Sequence, residues 1–148
     1  MQANNKRDLL YLLRMLNHIE LCNYFTKNVS SENDLIHNFY EKFHLATSQL
    51  IQIAENVNKI SENLKITHSE IEWNKIKGFR NIIVHDYINI ESDIVFEIIT
   101  KELPILKNQI LEIIKIGLIT NVYDIGEINA AKEGDKYILI DFNKILDK

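Results

Sequence analysis

The sequence predicts an all-α fold with a short β-hairpin at its C-terminal end. Three observations predict it. Only 4 Gly and 1 Pro occur in 148 residues, too few for a β sandwich, whose tight turns draw on both. Apolar residues recur at three- and four-residue steps through most of the chain. From Gly117 that period fades, and Tyr137-Ile138-Leu139-Ile140-Asp141-Phe142 is rich in β-formers.

The first helix covers residues 6–25, where Leu9, Leu12, Leu13, Leu16, Ile19 and Tyr24 form one stripe. Ser30, Ser31, Asn33 and Asp34 then offer capping oxygens. A longer helix follows over 34–64 on Phe39, Phe43, Ala46, Leu50, Ile53, Val57, Ile60 and Leu64, and would measure ~45 Å at ~1.5 Å per residue. The third helix covers 73–87, interrupted or bent near Gly78. After a break at 89–92 comes a fourth stretch, split by Pro104 into 93–103 and 104–116, because proline lacks the backbone donor that a helix interior needs. The hairpin would pair 121–130 with 136–142 across Glu133-Gly134-Asp135. A lone hairpin is marginal in water and must pack on the bundle or on a partner chain. The expected organisation is a helical domain, 1–116, and a C-terminal extension, 117–148.

Charge and cysteine content narrow the function classes. With 17 basic and 21 acidic residues the formal charge is −4, the wrong sign for non-specific coating of nucleic acid. A small basic site on an acidic body remains compatible. Cys22 is the single cysteine, so no disulfide can form within the chain, which suits a reducing compartment. Residues 1–7 are polar and Arg14, His18 and Glu20 break the next apolar run, so neither a signal peptide nor a spanning segment is expected, and the location expected is cytoplasmic. His37 and His44 share a helix face without a third ligand, so no metal or other cofactor is expected.

One segment carries chemistry, Lys75-Ile76-Lys77-Gly78-Phe79-Arg80-Asn81-Ile82-Ile83-Val84-His85-Asp86-Tyr87. Three cations, Lys75, Lys77 and Arg80, precede a histidine, a carboxylate and a phenol. Arginine presents a planar fork suited to phosphate, and histidine is the side chain best placed to move a proton near neutrality. As bare residue types the plainer readings stand beside this one: Arg80 in a salt bridge, His85 structural, Tyr87 with its ring buried, Lys75 and Lys77 solvated. Helix geometry adds a constraint. Five residues at ~100° each leave Arg80 and His85 about 140° apart around a regular helix. Either the helix ends or bends between them, or a second copy supplies the missing half of the site. Symmetric dimerisation is the preferred solution.

The spacing Arg80-x4-His85-x-Tyr87 resembles the R-x4-H-x-Y motif of HEPN-domain ribonucleases, specifically the HepT toxin family. The lead-in from Ile71 to Asn81, the helix-two segment from Leu50 to Ser61, and Leu103-Pro104-Ile105-Leu106 are similar to that family in the same order. The resemblance covers about residues 7–116. Where relatives commonly carry Ile-Gly-Glu-Ala, this chain has Ile53-Ala54-Glu55-Asn56, read as a packing variation. The tail lies outside the resemblance.

The resemblance implies a four- to five-helix HEPN bundle that dimerises around an RNA-cleaving cleft. Arg80 and His85 would be catalytic, Asn81 supporting, and Lys75 and Lys77 weak substrate contacts. The reaction would be metal-independent cleavage to a cyclic phosphate. It further implies a minimal nucleotidyltransferase antitoxin as partner, with Tyr87 as the acceptor of adenylyl groups. The alternative is a non-catalytic HEPN module that binds nucleotide or the nucleotidyltransferase.

Overall fold

Leu9, Leu12, Leu16 and Ile19 fall on one helical stripe and are essentially inaccessible to solvent, which makes the first helix the inner wall of the bundle. The computed structural model describes residues 2–85 and 92–146, with Gln2, Ala3, Val84 and His85 given as backbone. The elements are α1 (Gln2–Phe25), α2 (Glu32–Lys59), α3 (Glu62–Thr67), α4 (Trp73–His85), α5 (Ser92–Glu97), a π-helical turn (Ile98–Glu102), α6 (Leu103–Ile119), α7 (Ile125–Glu133) and α8 (Asn143–Leu146). α1 packs along α2, α2 packs on α4 and α5, and α6 packs on α1 and α8. The all-α expectation holds among the described residues.

The start of α2 is set by its own carboxylate. Asp34 accepts hydrogen bonds from the Ser30 N–H (2.8 Å), the Ser30 hydroxyl (3.0 Å) and the Ser31 N–H (3.1 Å). Those bonds, the Ser30 backbone first, hold its carboxyl below the usual range. The predicted continuous 34–64 helix is corrected in two places. His37 is extended (ψ 151°), and Asn38, Phe39 and Tyr40 follow with φ of 55°, 60° and 62°, a left-handed turn that interrupts α2. Asparagine tolerates that region, while Phe39 and Tyr40 adopt it at a cost of ~1–2 kcal/mol each. Phe39, expected in the core stripe, is 93% exposed as a result. The unbroken part, residues 41–59, is about 28 Å long at ~1.5 Å per residue.

At its other end α2 stops before Ser61, which begins α3. Buried Asp8 of α1 accepts from both the Ser61 N–H (2.8 Å) and the Ser61 hydroxyl (2.6 Å), while that hydroxyl oxygen caps Leu64 N–H at 3.2 Å. A residue 53 positions away thus decides where the long helix ends. Tyr24, also assigned to the first stripe, is 53% exposed, and Met15 and Cys22 fill α1's inner face instead.

α4 runs without interruption through Gly78, contrary to the expected break there. A Cβ built on Gly78 meets nothing within 4 Å. Gly78→Ala should therefore stabilise α4 by ~0.5–1 kcal/mol, read as a raised urea midpoint at unchanged m-value. Pro104 sits in the first turn of α6, as its missing donor requires, and the π-helical turn before it marks the expected division of the fourth stretch.

The C-terminal hairpin is the main correction. No strand occurs among the described residues, and the stretch assigned to its first strand, 121–130, holds the first six residues of α7. Asp124 caps that helix through Gly126 N–H (2.8 Å), and Ala130 and Ala131 continue it. Residues 137–140 close a turn, Ile140 N–H to Tyr137 C=O at 3.2 Å, which buries Ile140 and leaves Ile138 80% exposed. Tyr123, Ile128, Ile140, Phe142 and Ile145 join the same core as α1 and α2, and α6 crosses the expected 116/117 boundary to reach Ile119.

Burial pushes the Cys22 thiol up to about 12. The neutral thiol is a poor nucleophile, so a thiol-titrating disulfide reagent should label Cys22 only after denaturation.

Candidate functional site

α4 is positioned by its inner stripe. Trp73, Ile76, Phe79 and Ile83 are buried, and the Trp73 indole N–H donates to the His68 carbonyl at 3.0 Å. That register leaves Lys75, Lys77, Arg80 and Asn81 exposed.

Arg80 is not free in solvent. Its guanidinium forms an ion pair with the Glu55 carboxylate of α2, with both side chains partly exposed. Nε is the nitrogen nearest the carboxylate, and a guanidinium carries two further nitrogens able to meet a second anion, so Glu55 orients the fork without exhausting its donors. Lys75 is differently placed. Its ammonium lies 2.7 Å from Glu102 and 3.7 Å from Glu72, and the Glu102 hydrogen bond is the main cause of its raised pKa. That pairing ties α4 to the π-helical turn. Among the described residues, Lys77 and Asn81 carry no such tie.

His85 is the last helical residue of α4, and because the helix is unbroken from Trp73 the backbone turns about 140° between positions 80 and 85. A helix end or bend between them, one of the two solutions the sequence allows, is therefore absent. Tyr87 lies outside the described residues. Among those residues, no group of three or more His, Cys, Asp or Glu side chains gathers.

Sequence reasoning missed Glu55. It stands in the helix-two segment that resembles the HepT family, but nothing in one sequence pairs position 55 with position 80. Only the packing of α2 on α4 does so.

The family model described as ribonuclease HepT-like matches residues 15–113, a span that holds Glu55, Arg80 and His85. The chain belongs to the HepT-like ribonuclease family. A protein of Caldanaerobacter subterraneus subsp. tengcongensis, named "Putative RNase", is 33% identical to this HepT-like chain over 63 residues, 43% of this chain and 56% of that protein. A Methanocaldococcus jannaschii protein named "Gamma-glutamylcyclotransferase and putative RNase" is 23% identical over 106 residues, 72% of this chain and 47% of that protein. The "Probable ribonuclease HepT" of Thermococcus cleftensis is 25% identical over 100 residues, 67% of this chain and 88% of that protein. The HepT-like chain thus spans about half the length of the first two relatives. No solved structure matches it. Among the described residues no helix is long and apolar enough to cross a membrane.

Proposed function

We propose that this HepT-like chain is an endoribonuclease toxin that cleaves RNA without a metal ion. The observation that carries the reading is the family match across α4, where Arg80 stands at the surface beside Glu55.

The chemistry is transesterification. A ribose 2′-hydroxyl attacks the adjacent phosphorus, the P–O5′ bond breaks, and a 2′,3′-cyclic phosphate and a 5′-hydroxyl result. His85 accepts the 2′-hydroxyl proton and returns a proton to the departing 5′-oxygen. Arg80 donates to the phosphate oxygens as charge builds on them. Asn81 lends a polar group beside Arg80.

The uninterrupted α4 supports a homodimer. If Arg80 and His85 of one chain face different directions, two-fold pairing brings Arg80 of one copy toward the His85 of the other. Ile82 on α4, Phe39 and Tyr40 on α2 and Ile94 on α5 expose apolar surface suited to such a contact, with α2 packed on both of the other helices.

A minimal nucleotidyltransferase is the proposed antitoxin, in a type VII-like toxin–antitoxin pair. Transfer of adenylyl groups from ATP to the Tyr87 hydroxyl, with release of pyrophosphate, adds negative charge beside the motif and repels RNA. The second reading, a non-catalytic module that binds nucleotide or that nucleotidyltransferase, is favoured by the Glu55 carboxylate on Arg80 and by the −4 charge.

Incubation of the purified chain with total RNA and EDTA tests the two. Cleavage that leaves cyclic-phosphate ends, absent in Arg80→Ala/His85→Ala, is expected. A dimeric chain, unmodified by mass, that cleaves nothing supports the binding module.

A further inference from the structure

A pocket of about 440 Å³ opens between α1, α2 and the segment after α7. Arg14, Lys59 and Lys136 line it, and no carboxylate does. Lys75, Arg80 and Lys107 are each held by a glutamate, whereas none of these three pairs with a carboxylate among the described residues. Glu55, one turn before Lys59 on α2, is engaged by Arg80 instead. The Arg14 guanidinium and Lys59 ammonium both stand over the Tyr11 ring, at 5.6 Å and 5.8 Å, which holds the two like charges together without neutralising them. On a chain of net −4 this is a local positive potential.

Asn56 is a second, independent pointer. It lines the pocket, is 4% exposed, and donates from Nδ2 to the Gln52 carbonyl at 2.9 Å, while its Oδ1 has no donor. A buried carbonyl without a partner is costly, and a turn of the amide toward the pocket would let a ligand donor relieve it. Tyr137 adds an aromatic ring to the lining. Cations for phosphate, an acceptor for a ribose hydroxyl or base amine, and a ring for a base match the chemistry of one nucleotide unit.

We infer that this pocket is a second RNA site, which binds a backbone phosphate and its nucleotide away from the bond that is cut. RNA as the ligand rests on the ribonuclease reading. Glu55, which holds Arg80, and Asn56, which lines the pocket, are consecutive on α2 and ~100° apart around its axis, so the two sites lie on adjoining sides of one helix. Lys136 and Tyr137 lie beyond the residues matched by the family, so the tail, besides filling the core, supplies two of the residues that line the pocket.

The test is fluorescence anisotropy of a short labelled single-stranded RNA, titrated over salt, in a His85→Ala background so that nothing is cut. Removing one cation that touches a phosphate should flatten the log Kobs against log salt slope by ~0.7. Arg14→Ala/Lys136→Ala should flatten it by about twice that and bind at least ~10-fold more weakly at low salt. Lys136→Arg should keep the slope. Circular dichroism checks that both variants fold, and both positions are surface groups outside the core. Unchanged affinity and slope in the double variant overturn the inference. So does ATP binding that depends on Arg14 and Lys136 when RNA binding does not, since that assigns the pocket to free nucleotide. If the wild type cuts no RNA yet binds it through Arg14 and Lys136, the ribonuclease reading fails and the pocket stands. If the wild type cuts RNA and the double variant binds like its parent, the pocket alone fails.

Discussion

His85→Ala should lower the rate of RNA cleavage by ~10²–10⁴-fold, the worth of a positioned acid–base group. Arg80→Ala should do comparable damage through kcat, because its charge on the phosphate matters most as the transition state forms. Mixing the two inactive variants separates the two geometries. If each site combines Arg80 of one copy with His85 of the other, every hybrid dimer contains one complete site and one doubly defective site. Random pairing makes half the dimers hybrid, so about a quarter of wild-type activity should return on mixing. If Arg80 and His85 of the same chain act together, mixing restores nothing. The continuous α4 predicts restoration. A discontinuous assay of cyclic-phosphate ends, read before and after mixing, decides it.

Gly117→Ala should be the most damaging single methyl in the chain. Its Cβ would fall 2.1 Å from Tyr123 Cδ2 and 2.4 Å from Cε2. That ring cannot simply swing aside. It is 6% exposed, and the Tyr123 N–H is bonded to the Gly117 carbonyl at 2.9 Å. Asn121 adopts φ 60° between them to end α6 and reverse the chain. Forcing the ring outward therefore breaks the stop of α6 and loosens α7 and α8 behind it. Overpacking of this kind costs ~1–3 kcal/mol, a loss of several degrees in Tm. Catalysis of a short RNA should survive better than stability, since Arg80 and His85 lie on α4. If Gly117→Ala melts at the wild-type temperature, Tyr123 has room that the structure does not show.

Most of the helices are legible in the sequence because their cause is local. Leu9 to Ile19 recur at the helical period, Pro104 can only begin a helix, and Asp34 can cap only a helix that starts beside it. The misses have a common origin. Residues 137–140 are β-formers, but they meet no second strand: Asp124, Ala130 and Ala131 commit the would-be partner to α7. The Asp124 cap is a local signal too, but a β-rich run outweighs it when residues are read one segment at a time. Phe39 fits the stripe of α2, yet a left-handed turn at 38–40 carries it out to solvent. Ser61 stops α2 because Asp8 reaches it from α1.

The candidate site divides the same way. Sequence alone determined that Arg80 and His85 sit on one amphipathic helix five residues apart, and that their order resembles a ribonuclease motif, because both depend only on residue type and spacing along the chain. That Glu55 aims Arg80, that Asn56 is a buried polar group instead of a packing variation, and that Arg14, Lys59 and Lys136 converge from distant parts of the chain were decided by tertiary structure. Pairing between distant residues is set by how helices pack, and a helical period says which face is apolar without saying which other face will meet it.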